Sequence, residues 1–166
     1  HQGLCRELMA NAQETLAARG YAGSVLVPAD DGLRRMYAAM GYRNFGGVQN
    51  LTFTAGEPVS LWKVPPEEYA ALRRKYLPQG GIVQEDGAIE YLAESAKLYA
   101  GNGFLLTATE DEPMELLGDA SQAAGILGAL GKAEGTFRLP GAAPFAMFRP
   151  TCDDSWTPAY FGLAFE

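Results

Sequence analysis

Amphipathic stretches closed by glycine alternate with short apolar, β-branched runs along this chain, and that alternation confines it to a mixed α+β (α/β) fold. From Gly3 to Arg19 the sequence is rich in helix formers, and Leu4, Leu8, Ala12 and Leu16 recur every four residues. This spacing predicts a helix with one apolar stripe. Gly20 supplies a left-handed stop. Ser24-Val25-Leu26-Val27 then reads as a buried strand ended by Pro28. Asp30 and Asp31 sit where a helix start favours oxygen acceptors and negative charge. They predict a helix over Gly32–Met40 with Leu33, Met36, Tyr37 and Met40 on one face. Gly41 closes that helix and Tyr42 opens an extended segment to about Phe53, giving the order helix, strand, helix, strand.

A length of 166 residues allows one or two small domains. Twenty acidic residues against 13 basic ones give a net charge of −7, with no Lys/Arg stripe, so no nucleic-acid partner is expected. No apolar run approaches the ~18 residues of a membrane span. Cys5 and Cys152 are too few for a disulfide framework; with no signal-like segment at the start, they point to a reducing, cytoplasmic setting. The sole histidine is His1, which removes Ser-His-Asp, Cys-His and His-ligated zinc chemistry. The acids are scattered over helix starts and loops, so no metal site is expected. The chain opens inside a helix without an initiator methionine, which predicts a fragment of a longer protein.

Two motifs in the first fifty residues, in this order and spacing, resemble the acetyl-CoA-binding half of the GNAT superfamily of N-acetyltransferases. Gly3-Leu4-Cys5 is similar to the last three positions of that family's phosphate loop, with Cys5 in place of the usual Gly or Ala. Leu33 to Tyr42 is similar to the later signature, a short helix with aromatics before Gly-Tyr or Gly-Phe. The resemblance covers about residues 1 to 53. It implies that Gly3, Leu4 and Cys5 present backbone N–H groups to a pyrophosphate, a role a helix N-terminus suits physically. It also implies that Tyr37 lies near the cofactor sulfur and returns a proton to the departing thiolate. A phenol, with an ordinary pKa of about 10, holds that proton at neutral pH. Taken alone, Gly3 reads as the start of a surface helix and Tyr37 as one aromatic on a buried face. Cys5 reads as a small spacer, because no histidine is available to activate it, and Arg34-Arg35 as a solvated helix face.

Thr54-Ala55-Gly56-Glu57-Pro58 is the best boundary, dividing the chain into residues 1–55, the C-terminal half of a GNAT acetyl-CoA-binding domain, and 56–166. The second part predicts a strand over Val59–Val64, a helix from Pro65-Pro66 and a short strand at Ile82–Gln84. A helix over Asp86–Tyr99 follows, then strands at Phe104–Thr109 and Met114–Leu117 and an Asp119-capped helix to Leu130. A strand at Gly135–Leu139 precedes a closing hairpin of Phe145–Arg149 with Ala159–Phe165. In outline, and in its ending, this part is similar to the degenerate second domain of tandem GNAT proteins. Its strand-to-helix junction, Leu117 to Ser121, lacks the phosphate-loop glycines, and Asp119 places an anion where a pyrophosphate would sit. This half is therefore predicted not to bind acetyl-CoA.

The resemblance implies an acyltransferase that moves an acetyl group from acetyl-CoA to an amine by direct attack. Glu166 is a further candidate: two-domain relatives of the fold, such as the N-myristoyltransferases, use a terminal carboxylate as base. The alternative is a non-catalytic module for homodimerisation or acceptor binding. A sterol-carrier-like ligand module has no positive support among the residues. The acidic balance favours a cationic acceptor by electrostatic steering.

Overall fold

A computed structural model describes residues 2–109, 113–152 and 156–163. Among these, five helices and eight strands alternate. They are α1 (Gln2–Ala18), β1 (Gly23–Leu26), α2 (Asp31–Ala38), β2 (Arg43–Thr54), β3 (Leu61–Lys63), α3 (Pro66–Tyr76), α4 (Gly87–Ser95), β4 (Lys97–Gly101), β5 (Phe104–Ala108), β6 (Pro113–Gly118), α5 (Ala123–Leu130), β7 (Glu134–Pro140) and β8 (Ala143–Pro150). The strands form one sheet of order β1-β8-β2-β7-β6-β5-β4-β3. The β6–β7 pair is parallel, joined by the α5 crossover, and the other pairs are antiparallel.

The sheet runs across the 54–58 turn. The first half of β2 pairs with β8, from Arg43↔Phe148 to Val48↔Ala143. Its second half pairs with β7, from Val48↔Pro140 to Thr54↔Glu134. The link at Gly141 lies directly on β2: its N–H donates to the Gly47 carbonyl at 3.0 Å, and a Cβ on Gly47 would overlap the Gly141 carbonyl. The turn itself is pinned to α5, whose carbonyls at Ala124 and Gly125 accept from Gly56 N–H (2.8 Å) and Val59 N–H (3.2 Å). Gly125 and Gly128 permit this approach, since a Cβ on Gly128 would overlap the Gly56 carbonyl. Helix glycines that would otherwise weaken α5 here let backbone meet backbone.

Two hydrophobic clusters cover the two faces of the sheet. Leu98, Ala100, Leu105 and Leu117 face α3 and α4, packing on Tyr69, Ile89 and Leu92. Phe104, Leu106, Ala108, Leu116 and Phe137 face α5, packing on Ala123, Ile126 and Leu127. All five residues of β5 are buried, including Thr107, whose hydroxyl bonds Tyr69, so the strand is covered on both sides.

Three expected elements are corrected. The helix expected to Tyr99 stops at Ser95, and Ala96 is extended (φ −128°). Leu98 and Ala100 then enter one cluster while Tyr99 turns to the other, so the period changes from 3.6 to 2 within a single apolar stretch. Ile82–Gln84 is not a strand; Gly81 makes one isolated parallel bridge, to Tyr160. The closing hairpin is absent from the described residues: β8 pairs with β1 and β2, so both its edges are occupied. Residues 164 and 165 of that expected hairpin lie outside the described part.

Candidate functional site

α1 sits beside the edge strand β1 with a face rotated from the one its leucines suggested. Leu4 (60% exposed) and Leu8 (59%) point to solvent, while Cys5, Met9, Gln13 and Leu16 are turned inward. Among the described side chains of this helix Gln13 alone is buried, and its amide decides the docking. Its Nε2 donates to the carbonyls of Arg149 (3.0 Å) and Pro150 (2.9 Å) on β8. Its Oε1 accepts from the Ser24 hydroxyl of β1 at 2.9 Å. Ser24 Oγ also lies 2.7 Å from the Tyr42 hydroxyl. A polar side chain bonded on both sides is retained under the helix because each of its groups has a partner.

α2 begins as its sequence predicts: the Asp30 carboxylate accepts from Leu33 N–H at 2.7 Å. At its other end the Tyr37 carbonyl accepts from both Met40 N–H and Tyr42 N–H. Gly41 there adopts φ +91°, a conformation that favours glycine. The chain therefore folds back so that the half-buried Tyr37 ring meets the buried Tyr42 edge to face, with centroids 5.8 Å apart. Tyr37 is thus tied through Tyr42, Ser24 and Gln13 to the middle of α1. Arg34, expected on a solvated face, donates to Asn44 Oδ1 at 2.6 Å.

Gly3, Leu4 and Cys5 lie in the first turn of α1. They lie roughly 12–15 Å along the helix axis from Gln13 at 1.5 Å per residue. Space beside Gly3 is open, since an added Cβ would have no neighbour within 4 Å. The backbone there is free to approach a ligand. Beyond α2, Gly41, Arg149, Pro150, Thr151 and Cys152 line a shallow cavity of about 310 Å³. Glu166 lies outside the described residues.

Asp119, expected to cap the helix to Leu130, caps instead the 3-10 turn Ala120–Gln122 that precedes α5. Its carboxylate accepts from Ser121 N–H (3.0 Å) and Gln122 Nε2 (3.2 Å), and these bonds hold its pKa below the ordinary carboxylate value.

A second polar cluster, which sequence reasoning missed, is buried between α3 and the sheet. Arg73 and Glu115 form a bidentate ion pair with both side chains wholly inaccessible. Tyr160 donates its hydroxyl proton to Glu115 Oε1 at 2.9 Å. Tyr69 bonds Thr107 beside them. Burial, with Glu115 adding to it, pushes the Tyr69 phenol up to about 12 and the Tyr160 phenol higher still. Burial opposes the Arg73 charge, but Glu115 more than restores it. The only sequence signal was an arginine at the helical spacing of Tyr69, Leu72 and Tyr76 on an otherwise apolar face.

No protein-family model matches the chain, and no curated protein matches it. Solved structures do. A GCN5-related N-acetyltransferase from Anabaena variabilis superposes with a TM-score of 0.59 at 14% identity, over 89% of this chain and 50% of that one. One from Kribbella flavida gives 0.54 at 17% identity, over 86% and 45%. The chain therefore has the fold of the GCN5-related N-acetyltransferases. It spans about half the length of these proteins. Among the described residues, no helix is long and apolar enough to cross a membrane.

Proposed function

We propose that this chain belongs to an acyltransferase that moves an acetyl group from acetyl-CoA to an amine. The observation that carries the reading is the placement of Tyr37 within an acetyltransferase fold: half-buried, held against Tyr42, and linked by hydrogen bonds to the helix that begins at Gly3. In this reading the first-turn N–H groups at Gly3, Leu4 and Cys5 hold the pyrophosphate of acetyl-CoA, and the open space at Gly3 suits that approach. The amine nitrogen attacks the thioester carbonyl, the C–S bond breaks, and Tyr37 donates its proton to the leaving sulfur. The proton lost by the amine goes to a base, for which a carboxylate at Glu166 is our candidate.

Residues 1–55 would then serve the cofactor and 56–166 would be a second, degenerate unit. Asp119 favours a non-catalytic role for the second unit, in homodimerisation or acceptor binding. Its carboxylate, bonded to Ser121 N–H in the turn that leads into α5, sets there a charge that would repel a pyrophosphate.

Steady-state acetyl transfer by the intact protein tests the assignment. Tyr37→Phe keeps the ring and removes the proton donor, so kcat falls about a hundredfold while the KM for acetyl-CoA stays near wild type. Gly3→Asp sets a charged side chain beside the first-turn amides and abolishes acetyl-CoA binding by calorimetry, leaving the circular dichroism spectrum unchanged. Wild-type turnover in the first variant reduces Tyr37 to a packing residue; wild-type affinity in the second removes the phosphate assignment.

A further inference from the structure

Residues 159–163 carry no ladder of strand hydrogen bonds, yet Tyr160 and Leu163 are each only 1% exposed. Side chains from three separated parts of the fold hold this segment. Glu115 of β6 takes the Tyr160 hydroxyl at 2.9 Å. Arg138 of β7 donates to the Gly162 carbonyl at 3.1 Å, its guanidinium lying over the Phe145 ring at 4.3 Å. Gln84, itself buried, donates to the Leu163 carbonyl at 3.1 Å. Two backbone bonds to the α3–α4 loop complete the attachment, Ala159 N–H to Gly80 O and Ile82 N–H to Tyr160 O, each at 2.9 Å. Gly162 has no room for a side chain, because a Cβ would overlap both the Tyr160 hydroxyl and the Glu115 carboxylate. The Arg73–Glu115 pair thus fixes a carboxylate whose second task is to receive this segment.

On its other side the segment rests on β2. Gly46 adopts φ +74°, and a Cβ there would sit 3.1 Å from the backbone N and O of Phe161. The Phe161 ring lies 6.5 Å from Phe45. Three residues before Phe45 in the chain is Tyr42, which orients Tyr37.

We propose that residues 159–163 form a strap that opens as a unit, latched by Glu115, Gln84 and Arg138, and that the closed strap braces β2 at Phe45–Gly46. These three latch residues act as positioning residues for the strand that sets Tyr42 against Tyr37. The link to Tyr37 rests on the acyl-transfer reading; the strap does not. Two backbone bonds, three side-chain bonds and the burial of Tyr160 and Leu163 hold the strap where a strand would have a full ladder, so its opening precedes global unfolding.

Native-state hydrogen exchange on the intact protein tests this, comparing wild type with Tyr160→Phe and Gln84→Ala. Both substitutions remove one tether and leave the Arg73–Glu115 pair in place. The Ala159 and Ile82 amides should exchange about tenfold faster or more, the 45–48 amides of β2 should follow, and in every variant the β5 amides, which open only globally, should remain the slowest. Strap amides within about twofold of wild type in the variants, or strap amides that exchange no faster than those of β5, overturn the latch. A rise confined to the strap overturns the bracing of β2. Acetyl-transfer kinetics of the same variants then read the link to Tyr37: kcat falls with an unchanged KM for acetyl-CoA. An unchanged kcat despite faster β2 exchange removes that link. Wild-type protein without acetyl transfer counts against the proposed reaction alone, because exchange still decides the strap.

Discussion

The two ends of the sheet are built differently. Around β1, α1 and α2 lie lightly on the strand: α2 has no buried residue, and α1 is anchored by the amide of Gln13 rather than by its leucines. Around β5, helices cover both faces, every strand residue is buried, and an ion pair is sealed beneath α3. The thin end carries the proposed cofactor and proton-donor residues; the thick end carries none of the expected cofactor contacts. Stability and the proposed chemistry are thus separated in space, with β2 running between them. Loosely covered surface is where a ligand can approach, and densely packed surface is where a fold is held.

Substitutions at the two ends should differ most where a buried charge is involved. Arg73→Met removes one partner of the sealed pair and leaves the Glu115 carboxylate buried without its counter-ion, a loss of about 3–5 kcal/mol. Urea unfolding should show a clearly lower midpoint, while the α1–β1–α2 end is affected only through global unfolding. A midpoint within error of wild type would place the pair in contact with water and collapse the contrast.

Alkaline titration sharpens the same comparison. Tyr69 is held neutral by burial, its pKa raised from 10.0 to about 12, and Tyr160 moves in the same direction. Above pH ~10 the unfolded chain loses these protons first, so it binds fewer protons than the native state and stability falls as pH rises. The contribution is fully present below pH 10 and is lost between about 10 and 12. For Tyr69 alone, two pKa units correspond to about 2–3 kcal/mol. Thermal melts should be flat into mildly alkaline solution and then drop, and Tyr69→Phe should shrink the drop. A drop of the same size in that variant would assign the alkaline loss to other groups.

The smallest effect belongs to the thin end. Leu8→Glu places a charge where the side chain already faces water, so it should shift stability by no more than about 0.5 kcal/mol. A loss of more than about 1 kcal/mol would mean that Leu8 is covered in the folded protein.

Much of the local architecture was legible in the residues. Asp30 and Gly41 delimit α2 because a carboxylate satisfies free N–H groups and glycine accepts positive φ. The apolar residues of Phe104–Leu106 announced the strand β5. Ile89, Leu92 and Leu98 illustrate the limit: one apolar stretch serves a helix and then a strand, and nothing within it marks the change. For the candidate site, Tyr37 and Gly3 were readable as positions, on resemblance. Gln13 and Ser24, which dock α1 against the sheet, were not, because neither a glutamine in a helix nor a serine in a strand is distinctive.

The sequence by itself determined elements that depend on neighbours a few residues apart: the Asp30 cap, the glycine stops, the periodicity of α5 and most of the apolar strands. Tertiary structure alone decided which face of α1 turns inward, which strands flank β8, and where residues 159–163 rest. The physical reason is range. Gln13 finds its acceptors 136 and 137 residues away, Arg73 meets Glu115 across 42, and Tyr160 reaches Glu115 across 45. A side chain's hydrogen-bonding capacity is fixed by its type, but its partner is chosen only when the sheet closes and strands from opposite ends of the chain come to lie side by side.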